Sequence, residues 1–97
     1  MVLEVARFSV TPGSEDAFAA AYAQAVPLVT VTPGCRSARL LLGVESPSSF
    51  VLLVEWDSVA AHEVFRASER FGAWRAVVGP HFAGPPEVEH YTDVPPG

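Results

Sequence analysis

The chain has 97 residues, of which 49% are apolar and 18% are charged, a composition that permits one domain with a continuous core. Its formal charge is -5, and it contains six arginines and no lysine. A basic surface that could bind nucleic acid or an anionic membrane is therefore not expected. The single cysteine excludes an internal disulfide and a cysteine-based zinc site. Because no transmembrane run or secretory leader is recognisable, we expect a cytoplasmic location.

The first half of the chain predicts a strand, a helix and a second strand. Residues 2–10 are rich in β-branched and aromatic side chains and stop at a Pro-Gly turn, which is typical of a strand. Apolar residues then recur at helical spacing from about Ser14, a capping residue, to about Val29. Pro27 predicts a kink or an early end of this helix. Residues 35–45 follow a second Pro-Gly turn and form the next predicted strand.

The second half of the chain predicts a strand, a helical region and a final strand. Residues 50–56 form the third strand, and Asp57 and Ser58 are suitable caps for a helix that follows. A further helical stretch ends before Gly79, and residues 86–94 form the fourth strand. We therefore expect one domain over residues 1–94 and a loose C-terminal tail over residues 95–97.

The order of these elements is β-α-β-β-α-β. With right-handed crossovers it predicts an α+β, ferredoxin-like fold in which a four-stranded antiparallel sheet carries its helices on one face. Strand 3 is apolar on both faces, so something must cover the second face. A second copy of the same sheet would do so, which predicts a homodimer. The alternative is a second face that is only weakly apolar and remains wet.

The run VEWDSVAAHEVFRASERFGAWRAVV, together with VTPG after strand 1 and TPGC before strand 2, resembles the antibiotic biosynthesis monooxygenase family. This resemblance covers nearly the whole chain. It implies a dimeric α+β barrel, built from two copies of the sheet, and an oxygenase activity. The wider superfamily also contains haem-degrading oxygenases, quinol monooxygenases, isomerases and cyclases, so the fold alone does not settle the chemistry.

Resemblance to the haem-degrading branch fails at the residues that matter. That branch uses an asparagine on strand 1, a tryptophan in helix 2 and a haem-ligating histidine further along the chain. The corresponding positions are Ala6, Phe65 and a residue near Arg75. Because all three are substituted, we expect no haem.

Resemblance to the quinone-forming branch is closer. Members of that branch oxidise polycyclic aromatic polyketides without metal or flavin, so dioxygen is the only expected co-substrate. Trp56 matches a tryptophan of the branch, and Arg75 matches an arginine if one residue is gapped near Ser68. His62 stands where a tyrosine is usual, and Leu52 replaces an asparagine. The resemblance implies that Trp56, His62 and Arg75 are the catalytic residues, and the two departures place the orientation of the substrate in question.

The chemistry of these side chains allows a catalytic and a structural interpretation of each. His62 lies at the edge of an apolar helix stripe, where an unperturbed pKa near 6.5 would make it a neutral proton acceptor. It could equally be a partly exposed surface histidine. Arg75 could hold an enolate or peroxide oxygen, or it could be a solvated helix residue. Trp56 could be a pocket wall or a core residue.

A flat aromatic ligand would need apolar and aromatic walls. The predicted substrate-binding residues are Phe18, Tyr22, Leu52, Phe65, Phe71 and Trp74. His81 and His90 show no metal-ligand spacing with each other or with acidic residues, so no metal site is predicted.

The function that these observations favour is oxidation of an electron-rich aromatic to a quinone by dioxygen, without a cofactor. The substrate would be a polyketide anthrone, a phenol or a quinol, and His62 would be the general base. Two alternatives remain open. One is a polyketide cyclase or isomerase that uses the same base without oxygen, and the other is a non-enzymatic dimer that binds a hydrophobic metabolite.

Overall fold

The computed structural model describes residues 1–96, in which four strands and three α-helices follow one another in the order β-α-β-β-α-α-β. The elements are β1 (Val2–Ser9), α1 (Glu15–Thr30), β2 (Cys35–Leu42), β3 (Ser49–Trp56), α2 (Val59–Arg66), α3 (Glu69–Val78) and β4 (Glu87–Tyr91). No helix in this part of the chain has the length and apolar character needed to cross a bilayer.

The strands form one antiparallel sheet in the order β2-β3-β1-β4. Alternate residues of the two central strands, including Ala6 and Phe8 on β1 and Leu52 and Val54 on β3, are buried on the face that carries the helices. This arrangement confirms the predicted ferredoxin-like α+β fold. The predicted second helical region consists of two helices, α2 and α3, with Ser68 between them.

The first predicted helix continues further than its proline suggested. It extends three residues beyond Pro27, to Thr30, so the predicted early end is wrong. A proline removes only its own N–H donor, and the carbonyl of Pro27 still accepts a hydrogen bond from Val31 N at 3.0 Å. The loss of one donor is tolerated because the buried residues Ala25 and Val29 fix the helix against the core on either side of it.

Three strands are shorter than predicted. β1 ends at Ser9, and Val10 forms only an isolated bridge to Phe82. β2 ends at Leu42, where the turn to β3 begins, and this turn is closed by a hydrogen bond from Ser49 N to Ser46 O. β4 covers residues 87–91 rather than 86–94. Residues 92–96 have no regular secondary structure, and Gly97, the last residue of the predicted tail, lies outside the described residues.

The turn before β2 sets the position of α2. Gly34 has φ +89°, and a Cβ atom placed on it would lie 2.7 Å from the Cβ of Ala61 on α2. Its carbonyl accepts a hydrogen bond from Asp57 N at 2.8 Å. Ser58 caps α2, as predicted, by accepting from Ala61 N at 3.1 Å. These close contacts fix the start of α2 against the sheet, one turn before His62.

Candidate active site

A cavity of about 120 Å³ lies between the helices and the sheet. Its walls are largely apolar and aromatic, and two titratable side chains, Glu4 and His62, lie in its lining. The predicted site residues that line this cavity are Leu52, His62, Phe65, Phe71, Trp74 and Arg75. They come from β3, α2 and α3, so the fold brings together residues that are distant in the sequence.

The other predicted site residues lie behind the lining. Phe18 is fully buried in an aromatic cluster, with its ring centroid 4.8 Å from that of Phe50. The ring of Tyr22 packs edge-on against the ring of Trp74, with the two centroids 6.1 Å apart. Trp56 is fully buried and lies against His62. These three residues support the walls and do not form them, and α1 reaches the lining through Val29 instead.

Glu4, which the sequence did not single out, is a buried carboxyl group at the polar end of the cavity. It lies on β1 with 6% of its surface exposed. The indole Nε1 of Trp56 donates to its Oε1 at 2.9 Å, and His62 Nε2 lies 3.3 Å from the same oxygen. One signal was available in the sequence, because Glu4 alternates with Ala6 and Phe8 and therefore shares their core-facing side of the strand.

His62 is held on every side. It is 3% exposed, and its ring stacks on Trp56 with centroids 5.1 Å apart and planes 18° from parallel. Its Nδ1 lies 2.7 Å from Nε2 of His90. His90 stands directly opposite Glu4 in the pairing of β1 with β4. The four side chains Glu4, Trp56, His62 and His90, which we call the polar cluster, therefore come from three strands and one helix.

Burial changes the acidity of both titratable groups in the cavity. The pKa of His62 is lowered to about 4, first by burial and then by the nearby His90 and Arg66. The expected pKa near 6.5 is therefore wrong, because it assumed a hydrated imidazole. Burial raises the pKa of Glu4, while the hydrogen bond from Trp56 and the charge of Arg66 lower it in part. His62 is neutral at pH 7, and Glu4 is a stronger base than an ordinary carboxylate.

Two arginines complete the cavity. Arg66 and Arg75 belong to the lining and are exposed residues, so they mark the side on which the cavity meets solvent. The guanidinium Cζ of Arg75 lies 5.9 Å from the ring centroid of Phe71. A fixed positive charge therefore stands at the mouth, where it can attract an anionic oxygen of a ligand.

The polar cluster is not arranged to hold a metal ion. Among residues 1–96, no three His, Cys, Asp or Glu side chains converge in this way. The two ring nitrogens of His62 face different partners: Nε2 faces Glu4 and Nδ1 faces His90. The three side chains therefore do not point to one common metal position. The chemistry that this arrangement can perform is proton transfer beside an apolar slot.

The fold and the cavity define a ferredoxin-like α+β protein with a largely apolar cavity between its helices and its sheet. The sequence model of the antibiotic biosynthesis monooxygenase family matches residues 1–77, and the chain belongs to that family. The YczJ protein of Bacillus subtilis (strain 168) is 34% identical over 95 residues, which cover 97% of this chain and all of that protein.

Solved structures agree with this assignment. A Bordetella bronchiseptica protein named for the same family has a TM-score of 0.93 and 41% identity, with 96% of each chain covered. SnoaB from Streptomyces nogalater, a cofactor-independent oxygenase, has a TM-score of 0.82 and 22% identity, covering 95% of this chain and 91% of that one. At that identity the likeness to SnoaB shows the shared fold alone.

Proposed function

We propose that this protein is a cofactor-independent monooxygenase that oxidises an electron-rich aromatic compound to a quinone with dioxygen. The observation that carries the proposal is the cavity itself, which combines apolar walls, a buried carboxyl and imidazole at one end, and an arginine at the mouth. Membership of the family and the description of SnoaB as a cofactor-independent oxygenase support it.

The reaction needs a base, a dry slot and a fixed positive charge. Removal of a proton from a phenol or anthrone gives an anion that can pass one electron to dioxygen, and recombination of the radical pair gives a peroxide. Loss of water from the peroxide then leaves the quinone carbonyl. The base lies at the end of the cavity formed by Glu4 and His62, and Arg75 stabilises the anionic oxygen.

The size of the cavity favours a small substrate. Its volume of about 120 Å³ compares with about 150 Å³ for a protein cavity that holds benzene. The enclosed space is smaller than that one, so a phenol, a quinol or an anthrone must extend in part through the mouth between Arg66 and Arg75. We propose on this ground a substrate whose reacting ring enters the cavity while its substituents or further rings lie in the mouth.

The proposal is tested by incubating the purified protein with a panel of quinols, phenols and anthrones in air and under nitrogen. We expect oxygen uptake and quinone absorbance in air, no quinone under nitrogen, and no loss of rate with a chelator. Turnover without oxygen uptake would favour a cyclase or isomerase. Ligand binding without any turnover would favour a non-enzymatic binder of a hydrophobic metabolite.

The role of Arg75 can be tested separately with a charge-matched control. Arg75→Gln should weaken the binding of an anionic phenolate inhibitor more than that of the neutral parent phenol. Arg36→Gln is the control, because Arg36 is exposed, pairs with Asp57 at the surface and lies outside the cavity lining. Equal effects of the two variants on phenolate binding would show that Arg75 acts only through net charge.

We also propose that the protein is a homodimer joined through the face of the sheet that lacks helices. Leu3, Val5, Val51 and Leu53 lie at the centre of that face and remain partly exposed in the single chain. The charged side chains on the same face are Arg7, Arg39, Glu55, Glu87 and Glu89. Because both signs of charge are present, a two-fold arrangement can pair arginines with glutamates around an apolar centre.

Sedimentation at micromolar concentration tests the dimer. We expect the wild type to sediment as a dimer and Leu53→Glu to sediment as a monomer, because a charge in the apolar centre must be desolvated at the interface. Val64→Glu is the control, since Val64 is 66% exposed on α2, away from that face. A wild-type monomer would contradict the proposal.

A further inference from the structure

We propose that Glu4 is the catalytic base, and that Trp56 and His62 are positioning residues that hold its carboxylate. This inference rests on the proposed function and deepens it, because it assigns the proton transfer to one atom of one residue. It differs from the expectation drawn from the sequence, in which His62 takes the proton.

The hydrogen-bond geometry leaves one carboxylate oxygen for the substrate. Trp56 Nε1 lies 2.9 Å from Glu4 Oε1, and His62 Nε2 lies 3.3 Å from the same atom. Glu4 Oε2 has no protein hydrogen-bond partner in residues 1–96, and it is not a fully buried orphan atom. Since Glu4 belongs to the cavity lining, Oε2 is the oxygen that can meet a ligand there.

The contact with His90 is linked to which ring nitrogen of His62 carries the proton. A neutral imidazole carries one N–H, and the contact of 2.7 Å between His62 Nδ1 and His90 Nε2 needs one donor and one acceptor. The contact allows either direction. Because the ionised carboxylate of Glu4 favours a proton on the nearer nitrogen, we place the proton of His62 on Nε2, and His90 Nε2–H then donates to His62 Nδ1. The 3.3 Å approach of His62 Nε2 to Glu4 Oε1 is an electrostatic contact, and the hydrogen bond to that oxygen comes from Trp56.

His62 itself is poorly suited to be the base. Each of its ring nitrogens already has a partner, and one ring face lies flat on Trp56. Its pKa of about 4 also makes it a weak proton acceptor at neutral pH, whereas burial raises the pKa of Glu4 above its ordinary value. Geometry and acidity thus favour the same residue.

The other charged or titratable groups around Glu4 come from four elements. Arg66 on α2 favours its ionised form, and Cys35 on β2 has a pKa raised first by burial and to a smaller extent by the negative charge of Glu4. His90 approaches from β4, and Arg75 on α3 lines the same cavity. Helix α1 contributes the apolar Val29 to the lining.

The step conserves atoms and electrons. An O–H or C–H bond of the substrate breaks, its electron pair stays on the substrate as a phenolate or carbanion, and an O–H bond forms at Glu4 Oε2. Dioxygen then accepts electrons from this anion to give a carbon-bound peroxide. Glu4 returns its proton to the departing peroxide oxygen, which leaves as water together with the second hydrogen of the oxidised carbon. A carboxyl group with a raised pKa suits both the basic and the acidic step.

The experiment compares the pH profiles of kcat/KM for the wild type, Glu4→Gln, Trp56→Phe and His62→Gln. The wild-type rate should rise with pH as Glu4 ionises. Glu4→Gln should remove this limb and lower kcat about 10²- to 10⁴-fold. Trp56→Phe should keep the limb but move it to higher pH, because a lost donor raises the pKa of the carboxylate. His62→Gln should likewise keep it. A limb that His62→Gln abolishes and Glu4→Gln retains would overturn the inference.

A second measurement separates this inference from the oxygenase proposal. Exchange of the anthrone methylene protons with D₂O under nitrogen reports proton removal without oxygen chemistry. We expect exchange in the wild type and in Glu63→Gln, the control at an exposed position of α2 outside the cavity lining, and a large loss in Glu4→Gln. Exchange without oxygen uptake in air would refute the oxygenase and leave Glu4 as the base. Undiminished exchange in Glu4→Gln would refute Glu4 even where quinone forms.

A third measurement needs no turnover. In the free protein, the ¹³C carboxyl signal of Glu4 should titrate above the ordinary range for glutamate and move to higher pH in Trp56→Phe. The proposed geometry would be wrong if the Glu4 signal titrated like that of an exposed glutamate and its titration were unchanged in Trp56→Phe.

Discussion

Removal of the His62 imidazole should change how the stability of the protein depends on pH. The pKa of this residue falls from 6.5 to about 4 on folding, first because the ring is buried. Between these two pH values the unfolded chain binds a proton that the folded chain does not. The free energy of unfolding should therefore fall as the pH falls through this window, by about 3 kcal/mol at pH 4.

The variant His62→Gln lacks this proton uptake in both states. Its free energy of unfolding should lose about 3 kcal/mol less than that of the wild type between pH 6.5 and pH 4. Glu4 acts in the opposite direction, since its raised folded pKa adds stability as the pH falls through that pKa. Repeating the comparison in a Glu4→Gln background removes this opposing contribution and isolates His62.

The measurement is urea denaturation at stepped pH, followed by the fluorescence of the two tryptophans. His81→Gln is the control, because His81 lies in the turn after α3 and outside the polar cluster. The slopes with pH decide the result, so a uniform loss of stability in the variant does not affect it. Parallel curves for the wild type and His62→Gln would refute the reasoning, as would a folded-state His62 that titrates above pH 6.

Other consequences concern the turns and caps. Gly13→Ala should lower the free energy of unfolding by about 1–2 kcal/mol, because Gly13 has φ +94° but space for a Cβ atom. Gly34→Ala should cost a further ~1–3 kcal/mol, because its Cβ atom would also clash with α2. Equal losses in the two variants would contradict this reasoning. Ser58→Ala should cost about 1 kcal/mol, whereas Ser14→Ala, whose hydroxyl makes no capping bond, should cost little. Gly72→Ala on α3, where the added methyl group meets no neighbour, should raise the melting temperature in calorimetry by stabilising the helix by about 1 kcal/mol.

Much of the fold could be predicted because its signals are local. The alternation along strands, the Pro-Gly turns and the Ser58 cap each depend on residues within one segment, and the structure places them where the pattern indicates. Pro27 is the exception, because buried neighbours of the helix outweigh the local preference of one residue. Tertiary packing decides such conflicts.

The sequence pattern predicted only part of the cavity lining. Phe65, Phe71 and Trp74 lie on helix faces that the apolar pattern marks as buried, and they do line the cavity. Phe18 and Tyr22 lie on an equally apolar face of α1 and do not. A helical pattern shows which face turns inward, but it does not show which inward side chains meet empty space.

The sequence by itself determined the order of the elements, their buried faces and the family to which the chain belongs. Only the tertiary structure decided the polar cluster, because Glu4, His62 and His90 lie far apart in the chain and meet through strand register and the docking of α2. It also decided their acidity. The pKa of a side chain depends on how much water and which charges surround it, and those surroundings exist only once the chain has folded.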